Sequence, residues 1–275
     1  NRPVWQGAEA LVYYLLFPVL LFHSIVKSPL DWAATSSLIA AGVTSGLLGI
    51  ALAYSLPWWP GLRKKVAARD HASAAQVAFR FNSFIGLALA DRLAGAQGLF
   101  FISVLIGFCV PMFNIAAVWP MARESKQSFW GQLVRNPLIV ATVCGLTANL
   151  LGFRMPSWLE PPVARIGAAS IALGLMSAGA GMQLGLLTQA KRLSVGVLGI
   201  RHLIQPLIAL GAIHVFGLQG NQALILLLFS ALPTASTCYV LAARMGYNGP
   251  YVAGLVTLST LLGIVSLPYA LSLVP

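Results

Sequence analysis

The sequence predicts an all-α polytopic membrane protein, and three observations carry the prediction. Of its 275 residues, 58% are hydrophobic and only 8% charged, with a mean hydropathy of +0.83, whereas a soluble domain carries roughly 25% charged residues. Apolar runs of about 20 to 25 residues recur with short connections, the length at which a tilted helix crosses a hydrocarbon core. Lys and Arg fall unevenly between alternate connections, as they do on the two sides of a membrane.

Nine spans are expected in order, covering about 4–26, 32–56, 73–93, 99–121, 133–153, 163–187, 195–218, 222–245 and 250–273. Arg80 and Arg201 lie within the third and seventh spans, and the other Lys and Arg residues lie in the connections or at span ends. One set of connections holds Arg2, Arg63, Lys64, Lys65, Arg69, Arg123, Lys126, Arg135, Lys191, Arg192 and Arg244; the other holds Lys27, Arg92, Arg154 and Arg165. The positive-inside rule puts the first set in the cytoplasm, so the chain as given is expected to start inside and end outside.

These patterns exclude several classes. The net charge of +11 is scattered through short loops rather than gathered on one face, which argues against nucleic-acid binding. Cys109, Cys144 and Cys238 lie inside apolar spans without paired spacing, so neither a disulfide framework nor a metal site is expected. HExxH, GxSxG and paired central aspartates are all missing, which removes the visible parts of an intramembrane enzyme. The first apolar run is followed by eight more, unlike a cleaved signal peptide.

The eighth span, QALILLLFSALPTASTCYVLAARM, is the most informative. Pro233 lies at its centre, followed by Thr234, Ser236 and Thr237. A proline inside a helix removes a donor and frees carbonyls that lipid cannot satisfy, so the break must lie against protein or water. Two readings stand: a broken helix at a ligand site near the membrane midplane, as in secondary transporters, or a simple proline kink.

The third span with its sequel, NSFIGLALADRLAGAQGLFFISVLIG, can be laid over TASTCYVLAARMGYNGPYVAGLVTLSTLLG, which pairs Asn82 with Thr234, Leu89 with Leu241, Arg92 with Arg244 and Gly98 with Gly249. The two lie five spans apart and so cross in opposite senses, as an inverted repeat demands. Pairing every span this way leaves the fifth without a partner, and a tenth helix upstream of Asn1 would complete a five-plus-five arrangement.

A charge near the bilayer centre costs at least about 2.5–3.5 kcal/mol unless paired or wetted. Arg80 precedes Phe81, Asn82 and Ser83; Arg201 stands beside His202 and Gln205, with Pro206 following. Two arginines without a central carboxylate suggest an anionic ligand, against the alternative that each snorkels or binds a carbonyl. Half-helices opening after Asn82 and Pro233 would add N–H groups and positive dipole for the same anion. Asn136, between Arg135 and Pro137, is a further candidate for the pathway. The acidic residues are Glu9, Asp31, Asp70, Asp91, Glu124 and Glu160, none at a span centre, so carboxylate-based ion coupling is poorly supported. His23, His202 and His214 remain as candidate proton carriers, His23 and His202 foremost.

Several ordered motifs resemble the auxin efflux carrier family, which spans plant auxin carriers and short prokaryotic carriers of organic acids such as malonate. AEALVYYLLFPVLLFHSI is similar to that family's second helix, FNSFIGLALADRLAG to its first crossover, LVRNPLIVATVCGL to its Arg-Asn-Pro helix opening, IRHLIQPLIAL to its Arg-containing helix and ALPTASTCYVLAARMGYN to its second crossover. Ala88 replaces the usual proline of the first crossover and Ser83 the usual threonine.

The resemblance implies an inverted-repeat five-plus-five transporter fold with two crossover helices, like bile-acid symporters and sodium/proton antiporters, with the first helix absent from this chain. Residues 1–27 and 133–187 would form scaffold and dimerisation helices, and 32–122 and 195–273 the transport domain of an elevator-type homodimer. The implied function is non-enzymatic, electrogenic transport of a small organic anion across a bacterial inner membrane, without cofactor or metal. Asn82, Ser83, Pro233, Thr234, Ser236, Arg80, Arg201 and Asn136 would form the substrate site. A sodium- or proton-coupled symporter and a non-transporting ligand sensor are the alternatives.

Overall fold

In a computed structural model, the described residues are 2–27, 32–62, 66–122, 137–180 and 190–274. Every regular element among them is helical. Four helical stretches, Thr35–Trp58, Ala68–Met121, Lys191–Phe216 and Gly249–Leu271, are long and apolar enough to cross a membrane, and shorter apolar helices lie at Val12–Lys27 and Gly220–Ala231.

The first expected span is helical throughout: α1 (Arg2–Leu11) runs through a π turn at Val12–Leu16 into α2 (Phe17–Lys27). Helix α3 (Trp32–Ser55) buries a face of small residues. Side chains added at Gly42, Gly46 or Gly49 would overlap Leu105, Phe113 and Gln205 respectively, so these glycines set how closely the neighbouring helices approach.

The third span is interrupted just before Ser83, where a half-helix was expected to open, and the chain between the third and fourth spans runs on as one long kinked helix. After α4 (Ala68–Ala74) and a 3-10 turn at Ala75–Ala78, the helix stops; α5 (Ser83–Ala122) begins after Asn82. Within α5 the chain turns at Gly95, whose φ of 54° and ψ of −141° belong to no helix. Gly98 then lies against the preceding helix, where a Cβ would come 2.3 Å from the Ala90 carbonyl oxygen.

Helices α6 (Pro137–Leu150) and α7 (Glu160–Ala180) both pack against α2. Near the end of α2, Lys27 Nζ lies 2.7 Å from Glu160, whose carboxyl is held below its ordinary pKa by that ammonium. The expected fifth span reaches into residues 133–136, and Asn136 with them lies outside the described residues.

Helix α8 (Lys191–Gly199) continues through a second π turn, Ile200–Ile204, into α9 (Gln205–Phe216). Pro206 supplies a local cause, since it has no N–H for the carbonyl of His202 four residues earlier. Helix α10 (Gly220–Ala231) ends before Leu232, α11 (Thr237–Arg244) starts after Ser236, and α12 (Gly249–Leu271) closes the described chain. The eighth span is therefore two helices with Pro233 in the non-helical link between them.

Candidate functional site

The two interruptions, Phe79–Asn82 and Leu232–Ser236, lie against each other. The Asn82 backbone N–H donates to the Pro233 carbonyl at 2.7 Å, and the Thr234 hydroxyl donates to the Val77 carbonyl at 2.7 Å. Each break thus satisfies polar backbone that the other's loss of helix exposes, the condition for irregular backbone at membrane depth. Aromatic rings pack around them: Phe81 lies 4.4 Å from Phe229 and 6.0 Å from Phe113 between ring centroids.

Arg201 is 2% exposed and binds only backbone among its described hydrogen bonds. Its Nε donates to Leu232 O at 2.6 Å, Nη2 to Phe229 O at 3.3 Å and Nη1 to Phe79 O at 3.5 Å. These carbonyls belong to the C-terminal ends of the helical segments entering the two breaks. Such ends carry partial negative charge and orphan acceptors, and one guanidinium answers both.

The opposite ends face a different arginine. Asn82 Oδ1 accepts from the N–H groups of Phe84 and Ile85, at 3.0 and 3.3 Å, and so caps α5. Arg80 is half-buried; its Nη1 donates to Gln76 Oε1 at 2.9 Å and its Nη2 to the Thr237 hydroxyl at 3.0 Å, at the first residue of α11. Gln76 also bridges the breaks by donating to the Cys238 carbonyl at 3.2 Å. A cation at a helix N-terminus has like-signed neighbours, an arrangement that favours an anion between them.

Replacing Asn82 with Ala removes the α5 cap while leaving its backbone bond to Pro233 possible. The expected loss is about 1 kcal/mol of stability, read as a lower thermal midpoint in detergent, with folded protein retained. An unchanged midpoint would show that the cap contributes nothing.

Of the other residues singled out by sequence, Ser83 and Ser236 are half-buried at the starts of the second half-helices, and Ser236 makes no side-chain cap to α11. Pro233 and Thr234 are buried in the second break. His202 lies next to Arg201 and contacts Ser259 and Ser266 of α12. His23 is away from the crossing, with Nε2 3.9 Å from Glu160. Sequence reasoning passed over Gln76, although its spacing of four residues before Arg80 puts both on one helix face. It also passed over Ser259 and Ser266, whose separation of seven residues places them on one face of α12.

Hydrogen-bonded helix breaks within an apolar helical bundle are consistent with a polytopic membrane transporter. The family described as "Membrane transport protein" matches residues 62–271, and the chain belongs to it, the family of the auxin efflux carriers. It is 24% identical over 264 residues to an uncharacterized transporter of Methanothermobacter thermautotrophicus, covering 94% of this chain and 85% of that protein. A probable auxin efflux carrier component 3b of Oryza sativa subsp. japonica is 26% identical over 154 residues, 52% of this chain and 25% of the rice protein. Auxin efflux carrier component 3a of the same plant is 27% identical over 125 residues, 43% of this chain and 20% of that protein. The aligned regions thus span a quarter or less of the rice carriers' own length.

Proposed function

We propose that this protein is a secondary transporter of a small organic anion, a carboxylate such as malonate or an auxin-like acid, with its site at the second half-helix starts. The observation that carries the reading is the division between the two arginines. Arg201 is occupied by the carbonyls entering the breaks, whereas Arg80 stands half-buried at the start of α11. In this reading Arg80, Ser83, Ser236 and the N–H groups of the first turns receive the carboxylate. Asn82, Pro233 and Thr234 hold the crossing that positions them, and Arg201 neutralises its other side.

The same reading makes the two broken segments counterparts in an inverted repeat of five plus five helices. Its support is that Gly98 packs on Ala90 and Ala94, and Gly249 on Ala243, at positions the internal alignment pairs. Residues 1–27 and 133–187 would be the scaffold of a homodimer, and 32–122 and 195–273 the moving part of an elevator. Net anionic cargo makes the cycle electrogenic. The membrane would be the bacterial inner membrane, with the C-terminus outside.

The test is uptake of labelled mono- and dicarboxylates into proteoliposomes, first without sodium or pH gradients and then with each. Saturable uptake without an ion gradient is expected. Uptake strictly dependent on sodium or protons would replace uniport by symport, and saturable binding without flux or exchange would make the protein a sensor.

A further inference from the structure

His202 has a more defined part in the second break than its neighbourhood alone suggests. It is 5% exposed, and both ring nitrogens meet hydroxyls of α12: Nδ1 lies 2.7 Å from Ser266 Oγ and Nε2 2.9 Å from Ser259 Oγ. Ser259 is fully buried and also meets Thr234 twice. Its oxygen accepts from the Thr234 backbone N–H at 2.9 Å, and its hydroxyl donates to Thr234 Oγ1 at 3.1 Å. Thr234 has already given its own hydroxyl proton to the Val77 carbonyl.

Counting protons fixes the direction of the bonds around Ser259. Thr234 Oγ1 can only accept from Ser259, so the single Ser259 proton is used there and Ser259 has none left for the imidazole. His202 must then donate from Nε2, and in the neutral imidazole Nδ1 accepts from Ser266. The adjacent Arg201 and His202 both face inward through the π turn, which widens the helix where Pro206 removes a bond.

We infer that His202 is a positioning residue for the second break: as the Nε2–H tautomer it donates to Ser259, and Ser259 fixes the amide and hydroxyl of Thr234 against Val77. The ring acts through Ser259 and touches no substrate. Neutral imidazole suits this task because it supplies one donor and one acceptor at fixed separation. The assignment rests on the proposed transport role only for the purpose of the break, since the arrangement itself can be read without substrate.

The test is nitrogen-15 NMR of the full chain, labelled at histidine in one sample and at threonine in another, in lipid nanodiscs at about pH 7. The His202 signals, assigned by their loss in His202→Gln, should show a protonated Nε2 and an unprotonated Nδ1. A protonated Nδ1, alone or with Nε2, would overturn the inference. The Thr234 backbone amide resonance should shift in His202→Leu and return towards its original position in His202→Gln, whose amide can replace the Nε2 donor. A Thr234 amide unmoved by Leu would also overturn it. If His202→Leu does not fold, the tautomer of the unmodified protein decides. A failed uptake assay leaves both resonances readable, so the two ideas fail separately.

Discussion

Substituting Arg201 with Met is expected to lower sharply both the recovery and the thermal midpoint of folded protein, because the side chain holds together the carbonyl ends of both breaks. The change would leave the carbonyls of Phe229 and Leu232, and the more distant one of Phe79, without their common donor. An orphaned buried acceptor costs about 1–3 kcal/mol, and lipid or packed side chains offer no replacement. Arg201→Lys should be intermediate, since a single ammonium cannot reproduce the spread of a guanidinium fork across three acceptors. Size-exclusion profiles and thermal midpoints in detergent check the order: unmodified protein, then Lys, then Met. A Met variant with the original midpoint would contradict the structural role.

The effect of Arg80 should fall on transport instead. Its guanidinium is half-buried, and its partners, Gln76 and Thr237, are side chains rather than orphaned backbone. Arg80→Gln keeps a hydrogen-bonding head of moderate size while removing the positive charge. The folded protein should be recovered, with carboxylate uptake reduced about 10- to 150-fold, the equivalent of roughly 1.5–3 kcal/mol for a charge-assisted hydrogen bond. Arg80→Lys should retain part of the rate. A Gln variant transporting at the original rate would remove Arg80 from the site, and one that failed to fold would make it a structural cation like Arg201.

The membrane class and much of the break geometry were legible in the sequence. Hydropathy marks the spans because a bilayer demands long apolar helices, and Pro233 and Asn82 mark the breaks because each disfavours uninterrupted helix in a recognisable way. The half-helices open close to the expected places, at Ser83 and Thr237. What periodicity leaves open is which polar side chain meets which backbone group across the bundle. Arg80 and Arg201 look alike as intramembrane cations, yet they meet opposite ends of the broken helices. Arg201 and His202 are sequence neighbours that an ordinary helix would turn about 100° apart. Pro206 carried the available signal for the π turn that brings both inward. Ser259 and Ser266 were hidden because a serine in a membrane helix more simply bonds its own preceding carbonyl.

In the proposed transport cycle the crossing binds an organic anion through Arg80 and the start of the second half-helix. Charge movement across proteoliposomes tests it most directly, comparing the unmodified protein with Arg80→Gln at matched protein incorporation. A malonate gradient is imposed without sodium or pH gradients, and other mono- and dicarboxylates follow. A saturable current is expected in the unmodified protein and one about 10- to 150-fold smaller in the variant. Equal currents in the two, or no carboxylate current from the unmodified protein under any gradient, would contradict it.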